Sequence, residues 1–116
     1  MSVNQLEDFM DISIREHGDN KIISVSGEVD LYNVSELKNA LFSLTDGSNS
    51  SVVVDMKEVN YMDSSGIGAL VAGQKKMKAH NGSFALMNIS DDVLNILKLA
   101  TLDKFFKIYY NESELV

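Results

Sequence analysis

Apolar and polar residues alternate near the head of the chain, then change to a helical spacing. In residues 10–16, MDISIRE, the residues Met10, Ile12 and Ile14 fall on one face, the pattern of a half-buried strand. HGDN at 17–20 is a turn signal, and KIISVSG puts Ile23 and Val25 in alternation, so the two runs predict a hairpin. EVDLY leads out of it as a loop. From there Val34, Leu37, Leu41 and Leu44 recur at helical spacing, with Asn33 as the expected N-cap and Glu36 three residues on, as in a capping box. TDGSNS ends this helix. SVVVD, 51–55, is short, continuously apolar and β-branched, which predicts a strand covered on both faces. MKEVNYMD, 56–63, loses the alternation and is expected as a loop.

A second helix begins within YMDSSGIGALVAG, 61–73, with Ile67, Leu70, Val71 and Met77 as its apolar stripe and HNG as its end. Three glycines, Gly66, Gly68 and Gly73, lie in it, although a helix-interior glycine costs about 1 kcal/mol against alanine. They are expected to keep a face open for close approach by another protein. SFALMN reads as a strand. SDDVLNILKLA reads as a third helix, with Val93, Ile96, Leu97 and Ala100 on one side. Ser90 is its cap, and Asp91 and Asp92 suit the positive end of its dipole. FFKIYY is expected as an edge strand exposing one of Tyr109 and Tyr110, and NESELV as a short helix or a frayed tail. The methionines Met56, Met62, Met77 and Met87 and the rings of Phe84, Phe105 and Phe106 are assigned to the core.

The order β-β-α-β-α-β-α-β predicts a small α/β fold, a mixed sheet with a parallel centre and helices packed on it. One domain over 1–116 is expected, with its core at about 10–110. In parallel strands the loops leaving the carboxyl ends emerge at one edge, where ligands and partners tend to bind. That edge would carry Glu28, Asp30 and Asn33 from one loop and Asp63 and Ser64 from the next. Asp30 and Ser64 are therefore expected to be neighbours.

Charge narrows the classes of partner. Ten Lys and Arg against seventeen Asp and Glu give a formal net charge of −7, which disfavours nucleic acid in the absence of a basic patch. The one basic cluster, Lys75, Lys76 and Lys78 of KKMK, reads as a solvated helix face. A protein partner is expected. The chain has no cysteine, which excludes disulfides and zinc–thiolate sites. No apolar run reaches membrane-spanning length and no signal peptide is evident, so the expected location is the cytoplasm, without membrane contact.

Enzymatic readings fail on spacing. Gly68 and Gly73 have the Walker A separation, but Gln74 and Lys75 stand where lysine and a hydroxyl residue belong. The dinucleotide fingerprint starts at Gly66 and Gly68 and then meets Val71. A nucleophile elbow needs glycine two residues to either side of the serine, and Ser64 has Met62 and Gly66, Ser65 has Asp63 and Ile67. His17 and His80 lie away from that edge, and the carboxylates show no metal-ligand spacing. Ser64 fits a phosphoacceptor. Phosphate there would face helix N-terminal N–H groups and the positive dipole end, and would add about −1.5 to −2 charge. Equally, Ser64 or Asp63 can simply cap the helix, and both readings can hold together. Asp30 has a turn-capping reading beside a partner-binding one, and Asn33 is a helix cap first.

YMDSSGIGAL resembles the phosphorylation motif of the anti-sigma factor antagonists, the bacterial STAS domains. GEVDLYNVSEL resembles the family's Gly-Glu-(apolar)-Asp segment followed by a helix, and LKLATLDKFFKIYYNESEL is similar to its C-terminal end, so the resemblance runs from about residue 10 to 115. It implies a STAS fold and a switch. In that family the unphosphorylated antagonist binds an anti-sigma factor and frees the sigma factor. The anti-sigma factor is often a serine kinase, which itself holds ATP and Mg²⁺. It phosphorylates the first serine after the aspartate, the complex dissociates, and a PP2C-type phosphatase reverses the step. By position, the acceptor is Ser64, and the partner-binding surface takes Asp30, Asn33, Asp63, Ser64, Ser65 and Gly66, with Ser65 read as structural. The resemblance implies no catalytic residue, cofactor or metal of the chain's own. It also leaves room for a constitutive, stressosome or transport-associated STAS scaffold without a serine switch.

Overall fold

The structure is a computed structural model, and it describes residues 10–115. Strands β1 (Asp11–His17) and β2 (Asn20–Val29) form the expected hairpin, antiparallel from Asp11 opposite Ser26 to His17 opposite Asn20. Then follow α1 (Val34–Leu44), β3 (Ser51–Met62), α2 (Ser64–Ala79), β4 (Ser83–Met87), α3 (Asp91–Leu99) and β5 (Lys107–Tyr109). A turn of 3-10 helix, Glu112–Glu114, comes last. The five strands stand in the order β1-β2-β3-β4-β5, and every pairing after the hairpin is parallel. The mixed sheet with a parallel centre is therefore as the alternation predicted.

The two faces of the sheet are covered differently. Ile23, Val25, Val52, Val54 and Leu86 pack against Leu37 and Leu41 of α1, Leu70 and Met77 of α2, and Leu97 of α3. On the opposite face Ile22, Val53, Ala85 and Met87 form a second cluster that Leu115 closes. SVVVD is thus buried on both sides, by helices on one and by the C-terminal turn on the other. Arg15 ties that turn to the sheet, reaching Asp55 at 3.1 Å and bonding to Ser24 and Glu112.

Several local expectations give way. MKEVNYM, 56–62, is strand, because β3 runs on to Met62 beside a β2 that continues to Val29, and only Asp63 lies outside it. Two register shifts, at Ser24/Ser26 and Gly27/Glu28, make this possible. They let Met56, Val59 and Met62, three residues apart, all face the helices. That spacing is neither two nor 3.6, so it concealed the strand. Gly27, at the second shift, has φ +90°, a conformation that favours glycine. Asn33 stands at the N-cap of α1 but makes no side-chain cap bond, so the expected capping box does not form. Val71 is half-buried and packs against the core as its place in the stripe predicts, whereas Ala100 is exposed just beyond α3. Ile14 is half exposed on the edge strand. Only Lys107–Tyr109 of FFKIYY pairs, while Phe106 is buried edge-to-face with Phe105. Tyr110 is the exposed tyrosine.

The glycines of α2 divide. A Cβ on Gly73 would lie 2.9 Å from the Phe84 ring, and one on Gly66 would lie 2.6 Å from Met62 Cγ and 3.0 Å from Val29 Cγ1. These two serve close helix–sheet packing inside the domain, not a partner. Only Gly68 faces open space. Gly68→Ala is expected to raise unfolding stability by about 0.5–1 kcal/mol. Gly73→Ala is expected to lower it by about 1–3 kcal/mol through overpacking. Urea unfolding of both variants measures this, and equal effects would refute the division.

Candidate functional site

β2 and β3 finish side by side. Val29 lies opposite Met62, and the Asp63 N–H donates to the Val29 carbonyl at 3.1 Å. The segments that follow, Asp30–Asn33 and Asp63–Ser65, therefore emerge together. Their link is Asp63. Its Oδ1 accepts from the Ser65 N–H at 2.9 Å and from the Ser65 hydroxyl. Its Oδ2 accepts from the Leu31 N–H at 3.2 Å. One carboxylate thus caps α2 and holds the preceding crossover loop. The neighbourhood expected for the two loops is observed, joined through Asp63 and Leu31.

Those bonds set the charge of Asp63. The hydrogen bond from the Ser65 hydroxyl, joined by N–H groups of Ser65, Leu31 and Gly66, outweighs partial desolvation and holds its carboxyl below the usual range. The backbone N–H groups that follow Ser64 are engaged by the same residue, since Gly66 and Ile67 donate to the Asp63 carbonyl at 3.1 and 3.3 Å. The helix end is therefore not the open anion cradle that its position suggested. Asp63 fills it.

The two serines differ in consequence. Ser65 is half-buried and its hydroxyl is committed to Asp63. Ser64, the first residue of α2, is exposed, and its hydroxyl makes no hydrogen bond among the described residues. Asn33 points back into the loop. Its Oδ1 accepts from the Asp30 N–H at 3.0 Å and its Nδ2 donates to the Glu28 carbonyl at 2.8 Å. Asp30 Oδ1 accepts from the N–H groups of Tyr32 and Asn33 at 2.9 and 3.3 Å. Gly66 is buried beneath this edge.

Three residues here escaped the sequence reading. Leu31 is 71% exposed, Tyr32 94% and Tyr61 52%. The first two project from the loop that Asp63 holds, and Tyr61 lies opposite Glu28 two residues before it. Two consecutive apolar residues inside a polar loop were the available signal. Charge is equally one-sided. Residues 27–37 and 59–74 contain Glu28, Asp30, Glu36 and Asp63 and no Lys, Arg or His. Lys75, Lys76 and Lys78 are exposed at the other end of α2, with Lys76 over the Phe42 ring and Lys78 over that of Phe105.

A groove of about 520 Å³ lies across β1, β2 and β3, and none of Asp30, Asn33, Asp63 or Ser64 lines it. Asp11, Asp55 and Glu58 are its acidic residues, and Asp55 is already engaged: burial pushes the group up, but bonds from Asn88, Lys57 and Arg15 hold it below the ordinary range. Among the described residues no cluster of three or more His, Asp or Glu side chains could hold a metal, and no helix is long and apolar enough to cross a membrane.

A profile of the STAS domain matches residues 11–115. The anti-sigma-B factor antagonist of Listeria monocytogenes serovar 1/2a is 30% identical over 105 residues, 90% of this chain and 92% of that protein. The crystal structure of an anti-sigma factor antagonist from Mycobacterium paratuberculosis superposes with a TM-score of 0.83 at 25% identity, covering 92% of this chain and 91% of that one. The Bacillus cell fate determinant SpoIIAA in its phosphorylated form shares the fold, with a TM-score of 0.71, 19% identity, and coverage of 90% of this chain and 95% of that one.

Asp63 also yields a pH signature. Its folded pKa lies below the unfolded value of about 3.9, so its contribution is full above that value. It is lost as pH falls through the folded pKa. Urea midpoints of wild type and Asp63→Asn should differ at pH 6, and the gap should narrow as pH falls below about 3.9. A gap that stays constant over this range would show that the ionised carboxylate is not what holds the loop.

Proposed function

We propose, from the premise that the chain belongs to the STAS domain family, that it is an anti-sigma factor antagonist whose binding is switched at Ser64. In this reading the unphosphorylated chain binds an anti-sigma factor and so frees a sigma factor. The surface comprises Asp30, Asn33, Asp63, Ser64 and Ser65, with Gly66 buried in support. The name of the Listeria relative and the fold shared with phosphorylated SpoIIAA support it. The observation that carries it is the contrast between the serines, one hydroxyl committed to Asp63 and the other exposed and unbonded among the described residues.

The chain supplies a substrate hydroxyl. The anti-sigma factor is proposed to be a serine kinase that holds ATP and Mg²⁺, takes the Ser64 proton and delivers the γ-phosphoryl group, leaving ADP. A PP2C-type phosphatase returns Ser64 to the free hydroxyl. The chain itself is not an enzyme and carries neither cofactor nor metal, and it works in the cytoplasm. Phosphate at Ser64 would find the following N–H groups occupied by Asp63 and no cation in either segment of this edge. Its charge would therefore remain displayed to the partner, where burying it costs binding.

The first measurement is co-purification of the tagged chain, with phosphopeptide mass spectrometry of residues 58–75. It should recover an anti-sigma factor kinase and place the phosphate on Ser64. With that kinase, Ser64→Ala should bind as wild type does and Ser64→Asp at least about tenfold more weakly, about 1.4 kcal/mol. Both variants binding like wild type would rule out the switch. No phosphate on Ser64 in cells would favour a constitutive scaffold.

A further inference from the structure

The loop between β2 and α1 is unusual in being polar in its bonds and apolar at its tip. Every backbone N–H from Asp30 to Val34 donates a hydrogen bond. Asp30 donates to Asn33 Oδ1, Leu31 to Asp63 Oδ2, Tyr32 to Asp30 Oδ1, and both Asn33 and Val34 to the Asp30 carbonyl. A loop so bonded is held in one shape. Yet it presents Leu31 and Tyr32 to solvent, 71% and 94% exposed, with Tyr61 half exposed on the adjoining strand. A single exposed apolar residue needs no explanation, but two on a rigid tip beside a third aromatic form an anchor. Tyrosine suits that role, since it buries a large area while freezing only two side-chain torsions.

The surroundings state what the anchor would meet. Residues 27–37 and 59–74 hold Glu28, Asp30, Glu36 and Asp63 and no basic residue, the nearest in sequence being Lys38, Lys57 and Lys75. Asp63 is held ionised by its bonds to Ser65 and Leu31. A partner surface that covers this tip must match both features.

We infer that Leu31 and Tyr32, flanked by Tyr61, form a preformed anchor that seats in an apolar, cation-rimmed pocket of a protein partner. This rests on the reading of the chain as an anti-sigma factor antagonist, and the pocket is assigned to the anti-sigma factor. Asp63 is the positioning residue. It holds the anchor through Leu31 while its neighbour Ser64 lies within the same contact. Preorganisation lowers the ordering cost of binding, and the acidic rim speeds encounter.

The test is titration calorimetry and stopped-flow association with the purified anti-sigma factor recovered by the tagged chain. Tyr32→Ser and Leu31→Ser should each weaken binding roughly tenfold or more, the range of interface hot spots. Tyr110→Ser, exposed to a similar degree at the β5 end of the sheet, should stay within about twofold of wild type. The wild-type association rate should fall several-fold between about 50 and 500 mM salt. Circular dichroism should show both anchor variants folded, since their side chains are solvent-exposed. If wild type binds while both anchor variants match it, the anchor is overturned and the Ser64 reading stands. A salt-independent rate would overturn the cationic rim. If wild type binds no anti-sigma factor, the proposed function fails and the anchor's assignment fails with it.

Discussion

The parallel pairing of β2 with β3 is the constraint on which the candidate site depends. It extends from Asn20 opposite Ser51 to Val29 opposite Met62, across two register shifts. β3 has twelve residues and β2 ten, so the shifts absorb the two-residue difference. They also keep Met56, Val59 and Met62 on the helix side after the strict alternation of Val52 and Val54 has ended. Without them strict alternation would turn Val59 away from the helices. Burial of Val59 is thus coupled to the register in which the two strands end. Gly66 belongs to the same device, since its missing side chain lets α2 begin directly over Met62 and Val29.

Asp63 converts that placement into a defined surface. A capping carboxylate satisfies N–H groups that a helix start leaves unpaired. Here it also reaches across to the neighbouring crossover loop, so two segments distant in sequence are held by one charged group. Its bonds leave Ser65 no free donor and leave Ser64 outside the network. The apparent redundancy of two adjacent hydroxyls is thereby resolved by geometry, although the residues are chemically identical.

The electrostatics of the edge follow from composition as well as from structure. A chain with net charge −7 can still carry lysines in the two segments around Ser64, and residues 27–37 and 59–74 carry none. Lys75, Lys76 and Lys78 gather toward the far end of the same helix, where Lys76 and Lys78, in its last turn, suit the negative pole of its dipole and lie over the rings of Phe42 and Phe105. A phosphate added at Ser64 would consequently meet no compensating side chain from either segment of its own edge.

Periodicity by itself determined the element order, the parallel centre of the sheet and the meeting of the Asp30 and Ser64 loops. The stripe of Leu37, Leu41 and Leu44 and the run SVVVD carry that information locally, because regular burial demands regular spacing. The DSSG segment, by resemblance, also points to Ser64 as the candidate phosphoacceptor. Tertiary structure alone decided the rest. The residues of MKEVNYM became strand because a neighbouring strand supplied bulged pairing, which no local period encodes. Asn33 turned away from its cap because the Glu28 carbonyl and Asp30 N–H offered better partners within the loop. Two of three glycines proved to serve Phe84, Met62 and Val29, contacts that exist only once the helix lies on the sheet. The loop that exposes Leu31 and Tyr32 is tied to the next segment by the hydrogen bond that the Leu31 N–H donates to Asp63, and hydrogen bonds between distant segments leave no periodic trace in a sequence.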